Sequence, residues 1–331
     1  MLLAALAIFS LAACGWRARA APTGHTAPIH VIATPIPLDP SDPNDVVVGD
    51  FHFAGGLVLT SPDTTRLGGL SDLKISPGGD LISESDEGDL LRAHLRLDAA
   101  GRPVALDDAT LGSLLGLDGR PLQGKAEADS EGVAVWPNGD LMVSFERDHR
   151  IWLYPATGGP AHAIPKPDIA MPDNEGMEGL TLAPTHGADA YWVGVEGGSI
   201  WLCHLSGGCS RWTALMSPPF GYRLTSLAET ASGDLVILHH SFNPLTFQSR
   251  IQVSIVSVPA APDGKSKLKA QFKLGPPMTV DNFEGVTTGK APGGGLRLYL
   301  IVDDNFSTKE QTLFYAFDEL PLKADKSSAR H

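Results

Sequence analysis

Between Gly68 and Phe306 the chain runs the same course five times. Each unit is an alternating apolar–polar stretch, a tight turn and a second such stretch. The units are G-G-L-S-D-L-K-I-S-P-G-G-D-L-I-S-E-S-D from Gly68, S-E-G-V-A-V-W-P-N-G-D-L-M-V-S-F-E from Ser130, and M-E-G-L-T-L-A-P from Met177 running to Glu196. L-T-S-L-A-E-T-A-S-G-D-L-V-I-L-H-H follows from Leu224, and F-E-G-V-T-T from Phe283 running to Phe306. A two-residue period bounded by such turns marks antiparallel hairpins. With Gly69, Gly132, Gly179, Ser226 and Gly285 as one column, the intervals are 63, 47, 47 and 59 residues. Propeller blades take roughly 40–50, so the first interval holds an insertion around 98–125. The repeats predict an all-β chain folded as a six-bladed β-propeller, because closing the ring removes exposed sheet edges. The early strand near 50–60 and the strands after Gly295 supply either the sixth blade or a ring closed by both termini. A β-sandwich is the alternative, but it needs no repeats in phase.

Composition excludes other classes. With 26 Pro and 36 Gly in 331 residues, the chain carries too many breakers for a helical bundle or coiled coil. A hydrophobic content of 43% excludes a wholly disordered chain. The formal charge of −13 argues against nucleic acid or anionic lipid as partner. An anionic substrate can still be held where bound cations reverse the local field.

Met1 to Ala13 is almost wholly apolar, too short for a mature membrane span and of the length of a signal h-region. Leu11-Ala12-Ala13-Cys14 resembles a bacterial lipobox, which implies lipidation of Cys14. The alternative is a simple cleaved peptide. Gly15 after the Cys favours an outer-membrane, periplasm-facing anchor. The predicted organisation is a signal peptide over 1–13, a Pro-rich flexible tether over 14–45, the propeller over 46–320 and a polar tail over 321–331. Cys203 and Cys209 flank the Gly207-Gly208 turn, and in an oxidising compartment they are expected to form a disulfide across the hairpin. Two unpaired thiols are the alternative.

The repeats also put acids in register. Glu131, Glu178 and Glu284 begin three units as x-E-G. Asp86, Glu146, Glu196 and Asp303 end the following strands. In an antiparallel pair the start of one strand lies beside the end of the next, so both columns face one mouth of the channel. Asp304 and Asn305 adjoin them, and Asn174 and Asn282 lie just before two Glu-Gly steps. Like charges in one cleft repel, and an all-oxygen set suits a hard divalent cation, above all calcium. Arg66, Arg147 and Arg150 are basic neighbours. The bland reading is that several of these acids only bond backbone N–H groups at strand ends. The fourth unit breaks the pattern: it has Thr225-Ser226 in place of Glu-Gly and His239-His240 in the second column. Counting from Asp234 selects His240 as a proton carrier or ligand. A nucleophile elbow, a P-loop and a dinucleotide fingerprint are all lacking.

Six ordered motifs, G-G-L-S-D-L, D-S-E-G-V-A, S-F-E-R-D-H-R-I, N-E-G-M-E-G-L, D-N-F-E-G-V and D-D-N-F, resemble the phytase-like family, often labelled esterase-like activity of phytase. The resemblance spans about Gly56 to Phe317. It implies an exported β-propeller that hydrolyses phosphoesters or esters, by similarity to calcium-dependent propeller phytases. His239-His240 departs from the expected acidic–basic pair. The expected function is a metal-dependent phosphoester hydrolase. In it Glu131, Glu178, Glu284, His240 and Arg147 carry the chemistry, while Arg66, Arg150, Asn174, Asn282 and Asn305 hold the substrate. The cation ligands are drawn from Glu131, Glu178, Glu284, Asp86, Glu146, Glu196, Asp303 and Asp304. A metal-assisted lactonase or carboxylesterase is a variant of the same site, and a non-catalytic binding propeller with a structural cation is the competing class. The partner is a small ester or phosphoester and the chain a monomer, touching membrane only through its lipid.

Overall fold

The computed structural model describes residues 25–213 and 215–321. The signal segment, Cys14 and nearly all of the tail lie outside the described residues. Among the described residues, five antiparallel sheets form five blades. Blade 1 runs through Leu70–Ile75, Asp80–Ser85, Asp89–Leu97 and Pro103–Ser113. Blade 2 holds Ser130–Val135, Leu141–Phe145, Arg150–Tyr154 and His162–Ala163, and blade 3 holds Gly179–Leu182, Ala190–Gly194, Ile200–His204 and Cys209–Arg211. Blade 4 holds Arg223–Glu229, Leu235–Asn243, Gln248–Val256 and Leu268–Leu274. In blade 5, Phe283–Lys290, Leu296–Val302 and Leu313–Glu319 are joined by the early strand Phe51–Thr60. The sixth blade is therefore corrected to five. The early strand does not start a blade of its own, because it pairs with Leu313–Glu319 and closes the ring with strands from both ends of the domain.

Of the tether only residues 25–45 are described, and two segments of it are paired strands rather than flexible spacer. Ala27–Pro28 pairs with Thr110 and Leu111 on the edge of blade 1, and Ile32–Ile36 pairs with Gly56–Thr60. Both segments protect outer edges that would otherwise expose unpaired backbone. The stretch around 98–125 divides into the outer strand of blade 1 and the approach to the helix Gly124–Ala128.

Each blade is buried on both faces by its neighbours, so its middle strands read as continuous apolar runs. In Leu235–Asn243, Leu235 and Ile237 pack with blade 3 while Val236 and Leu238 pack with blade 5. The first strands of all five blades gather around the axis. There the register shifts by one residue at Ser71, Glu131, Thr225 and Glu284. Such a bulge leaves its extra residue unpaired and re-aims its side chain. The residue after it lies closest to the axis and must be small. A Cβ on Gly132 would sit 2.7 Å from Ser144 Oγ and 2.8 Å from the Glu178 carbonyl oxygen.

Blade 1 departs from this rule. Pairing makes Asp72, not Gly69, the counterpart of Gly132, Gly179, Ser226 and Gly285. The buried Asp72 carboxylate fills the axial space its neighbours leave. Its Oδ1 accepts from Leu73 N at 2.8 Å and Ser226 Oγ at 3.0 Å, and its Oδ2 from Lys74 Nζ at 2.5 Å and Val133 N at 3.2 Å. Ser226 Oγ in turn accepts from Val286 N at 3.1 Å. One network thus ties blades 1, 2, 4 and 5. Replacing Asp72 by Ala leaves an unpaired ammonium and orphaned donors at the axis. It is expected to cost ~3 kcal/mol in urea unfolding. A loss under ~1 kcal/mol would remove Asp72 from this role.

Cys203 and Cys209 are joined by a disulfide across the blade 3 hairpin. The loop is short, so replacing both by Ser is expected to lower unfolding free energy by about 2 kcal/mol. Urea titration with and without reductant checks this on the unmodified chain.

Candidate metal centre

The bulges and strand ends build two rings around one channel mouth. The first comes from the residues just before the axial ones, the bulge residues Glu131, Thr225 and Glu284 and, in blade 3, Glu178 ahead of its strand; all four reach the cavity. The second lies two residues beyond the partner of each axial residue: Asp86, Glu146, Glu196, His240 and Asp303. The acids of this ring are held alike. The backbone N–H of Asp86, Glu146, Glu196 and Asp303 donates to the carbonyl of Gly69, Asp129, Gly176 and Asn282 at 2.9, 2.9, 3.1 and 3.0 Å. These acids and His240 line a cavity of about 360 Å³ with Asp129, Lys125 and Arg223.

Carboxylate oxygens of Asp129, Glu131 and Glu146 lie within 4.8 Å of one another, and so do those of Glu146, Glu178 and Glu196. Glu146 belongs to both groups. Burial, then the neighbouring acids, pushes Glu131, Glu178, Glu284 and Asp303 well above the ordinary carboxylate range. Burial and Asp129 raise Glu146 to about 7. Without a cation, these shifts favour the protonated form of these acids. A divalent ion would bind the ionised form and release those protons. The donors are all hard oxygens, the ligand set that a hard divalent cation takes.

Basic groups offset part of the charge. Lys125, on the short helix, bonds Asp86 and, at 2.9 Å, Asp129 Oδ1. Arg147 Nε donates to Asp129 Oδ2 at 2.6 Å. Arg223 lies 3.1 Å from Glu196 and 3.2 Å from Glu175. Lys125, Asp129 and Arg223 escaped the sequence reading, though signals existed. Asp129 sits two residues before Glu131, on the same side of an extended strand. Lys125 precedes Asp129 by four residues, the spacing of neighbours on a helix. Arg223 stands two before Thr225 at the start of its strand.

His240 faces the cavity, and its buried Nε2 has no hydrogen-bond partner. Burial lowers its pKa to about 4, so it is neutral near pH 7. His239 is fully buried between blades and does not line the cavity.

Six of the expected site residues do not line the cavity: Arg147 and Asn282 only bond its acids, and four lie elsewhere. Arg66 is buried on Asp89, with Nε and Nη2 at 3.2 and 2.7 Å from Oδ1. Arg150 stacks on Phe145 and Trp152 at 3.9 and 4.3 Å and bonds the Glu127 carbonyl, anchoring the helix that bears Lys125. Asp304 accepts from Gly69 N at 2.9 Å, Phe306 N at 3.0 Å and Thr312 Oγ1 at 3.0 Å; it fastens a loop, as the bland reading of strand-end acids allows. Asn174 is exposed and does not line the cavity. Asn282 Nδ2 donates to Glu284 Oε1 at 2.7 Å, and Asn305 lies at the rim.

Residues 65–306 match the family described as phytase-like, esterase-like activity of phytase. The chain belongs to that family. Among solved structures, virginiamycin B lyase from Staphylococcus aureus is similar over 87% of this chain and 99% of its own, with 11% identity and a TM-score of 0.42. A PQQ-bound aldose sugar dehydrogenase from Streptomyces coelicolor covers 90% and 99%, at 15% identity and 0.42. A Bacteroides thetaiotaomicron protein of unknown function covers 89% and 77%, at 12% identity and 0.45. No curated protein matches the chain. The family's label carries an esterase-like activity.

Proposed function

We propose that this phytase-like propeller is an exported, divalent-cation-dependent hydrolase of small phosphoesters, with calcium as the cation. The observation that carries this reading is the pair of overlapping carboxylate groups sharing Glu146 inside one cavity. Asp129, Glu131 and Glu146 would hold one ion and Glu146, Glu178 and Glu196 another, with Glu284 and Asp303 completing the acidic wall. Bound there, the cations would supply positive charge against phosphate oxygens and lower the pKa of an attacking water. Arg223 lines the cavity and would hold further phosphate oxygens by charge-assisted hydrogen bonds, while Arg147 holds Asp129 in place. Neutral His240 lines the cavity wall as a candidate proton carrier. The signal-like start and Cys14 support delivery as a periplasm-facing lipoprotein of the outer membrane, acting as a monomer.

A metal-assisted lactonase or carboxylesterase would use the same residues. The test is elemental analysis of the purified domain, with turnover on phosphate and carboxylate esters before and after chelation. Turnover abolished by chelation and restored by calcium supports the hydrolase, and the preferred ester class decides the variant. Bound metal without turnover on either class would favour a binding propeller whose cation is structural.

A further inference from the structure

Blade 4 differs from the other four in three ways that act at one place. Its bulge residue is Thr225 and its second-ring residue His240, so it adds no carboxylate to the cavity. Its second and third strands do not stop at the mouth. Ser241, Phe242 and Asn243 continue the pairing with Arg250, Ser249 and Gln248. In blades 1, 2 and 5 the second strand ends just before the ring residue, at Ser85, Phe145 and Val302, and in blade 3 at Gly194. At ~3.3 Å per residue, the blade 4 hairpin stands about 10 Å beyond the mouth.

That projection is apolar. Phe242 lines the cavity yet is 51% exposed, and Leu245 and Phe247 at the tip are 90% and 81% exposed. The rings of Phe242 and Phe247 meet edge to face at 6.3 Å. Phe220 is fully exposed beside Gly221, which lines the same cavity. Large apolar side chains cluster at a surface where something covers them. Here they continue one wall of a cavity whose other walls are acidic.

We infer that the blade 4 hairpin receives the organic part of the substrate, and that the substrate is an amphiphile: an anionic phosphoester head on an aryl or alkyl group rather than a polyhydroxylated one. This rests on the phosphoester reading above. The head lies at the acidic rings, and the apolar group leaves along Phe242 towards Leu245 and Phe247. Covering about one ring face there favours the apolar ligand about tenfold.

The experiment is calorimetric titration of the calcium-loaded chain with phenylphosphonate and with methylphosphonate, neither of which is turned over. The unmodified chain is expected to bind phenylphosphonate about tenfold more tightly. In the triple variant Phe242→Ser, Leu245→Ser, Phe247→Ser the ratio falls to about one, with the methylphosphonate arm reporting that the site is intact. Equal binding of both ligands by the unmodified chain overturns this inference and leaves the hydrolase reading standing. So does a preference that survives in the variant, the outcome expected if the hairpin serves only as a lipid-surface contact. Binding of neither ligand overturns both readings.

Discussion

Replacing Glu146 by Gln is expected to cost more calcium affinity and more turnover than the same change at Glu284. The substitution keeps the shape of the side chain and removes one charge. Glu146 contributes to both carboxylate groups, so a single change weakens two ion positions. Glu284 lies outside both groups and keeps Asn282 as a hydrogen-bond partner at 2.7 Å. Even residues that only support metal ligands cost about 10–100-fold in affinity or activity when changed. Glu146→Gln is therefore placed at about 100-fold or more in kcat/KM, and Glu284→Gln nearer tenfold. Calcium titration and turnover on one phosphate ester, measured side by side, check the order. An equal or smaller effect at Glu146 would mean that the two groups do not share an ion-binding role.

Above about pH 6.5, where His239 and His240 are neutral in both the folded and the unfolded chain, the chelated domain is expected to lose stability as pH rises, the reverse of ordinary acid denaturation. The buried acids have folded pKa values raised above their unfolded ones. Their contribution is thus fully present below the unfolded value and is lost as pH climbs through the folded one. Burial raises Asp72 from 3.8 to about 6, about 3 kcal/mol lost between pH 4 and 7. Burial also lowers His239 and His240 to about 4, which adds stability over the same span and offsets that loss. The buried acids of the ring therefore decide the slope above it. Glu146, at about 7, extends the fall towards neutrality, discounted because it is partly solvated. Glu131, Glu178, Glu284 and Asp303 act in the same direction. Calcium opposes the ring's share of this loss by binding the ionised acids. At a hundred times its dissociation constant it adds ~2.7 kcal/mol, a rise in melting temperature of about 5–10 °C at pH 7.5 for a domain of this size. Melting curves from pH 6.5 to 8, with chelator and with calcium, read both effects. A chelated domain that grows more stable towards pH 8 would contradict the protonated-ring picture.

Much of this was legible in the residues because rotational repetition converts sequence period into position. The x-E-G steps and the strand-end acids needed only antiparallel pairing to be placed at one mouth, and Glu131, Glu178 and Glu284 do meet there. Blade count was less legible. Phe51–Thr60 looks like any strand, and only its pairing with Leu313–Glu319 shows that it closes blade 5 rather than opening a sixth. The bulges hid the alignment of blade 1. A one-residue insertion shifts which residue meets the axis, so Asp72 falls where glycine was sought at Gly69. Arg66 and Arg150 show the other limit. Proximity along the chain says nothing about which way a long side chain turns, and Asp89, Phe145 and Trp152 claim them first.

The most direct measurement is calorimetric titration of the chelated, unmodified domain with calcium at pH 7.5 in two buffers of different protonation enthalpy. Saturable uptake of two ions per chain with net proton release is the predicted result. No saturable uptake, or uptake without proton release, would contradict a buried, partly protonated acidic ring as the cation-binding centre.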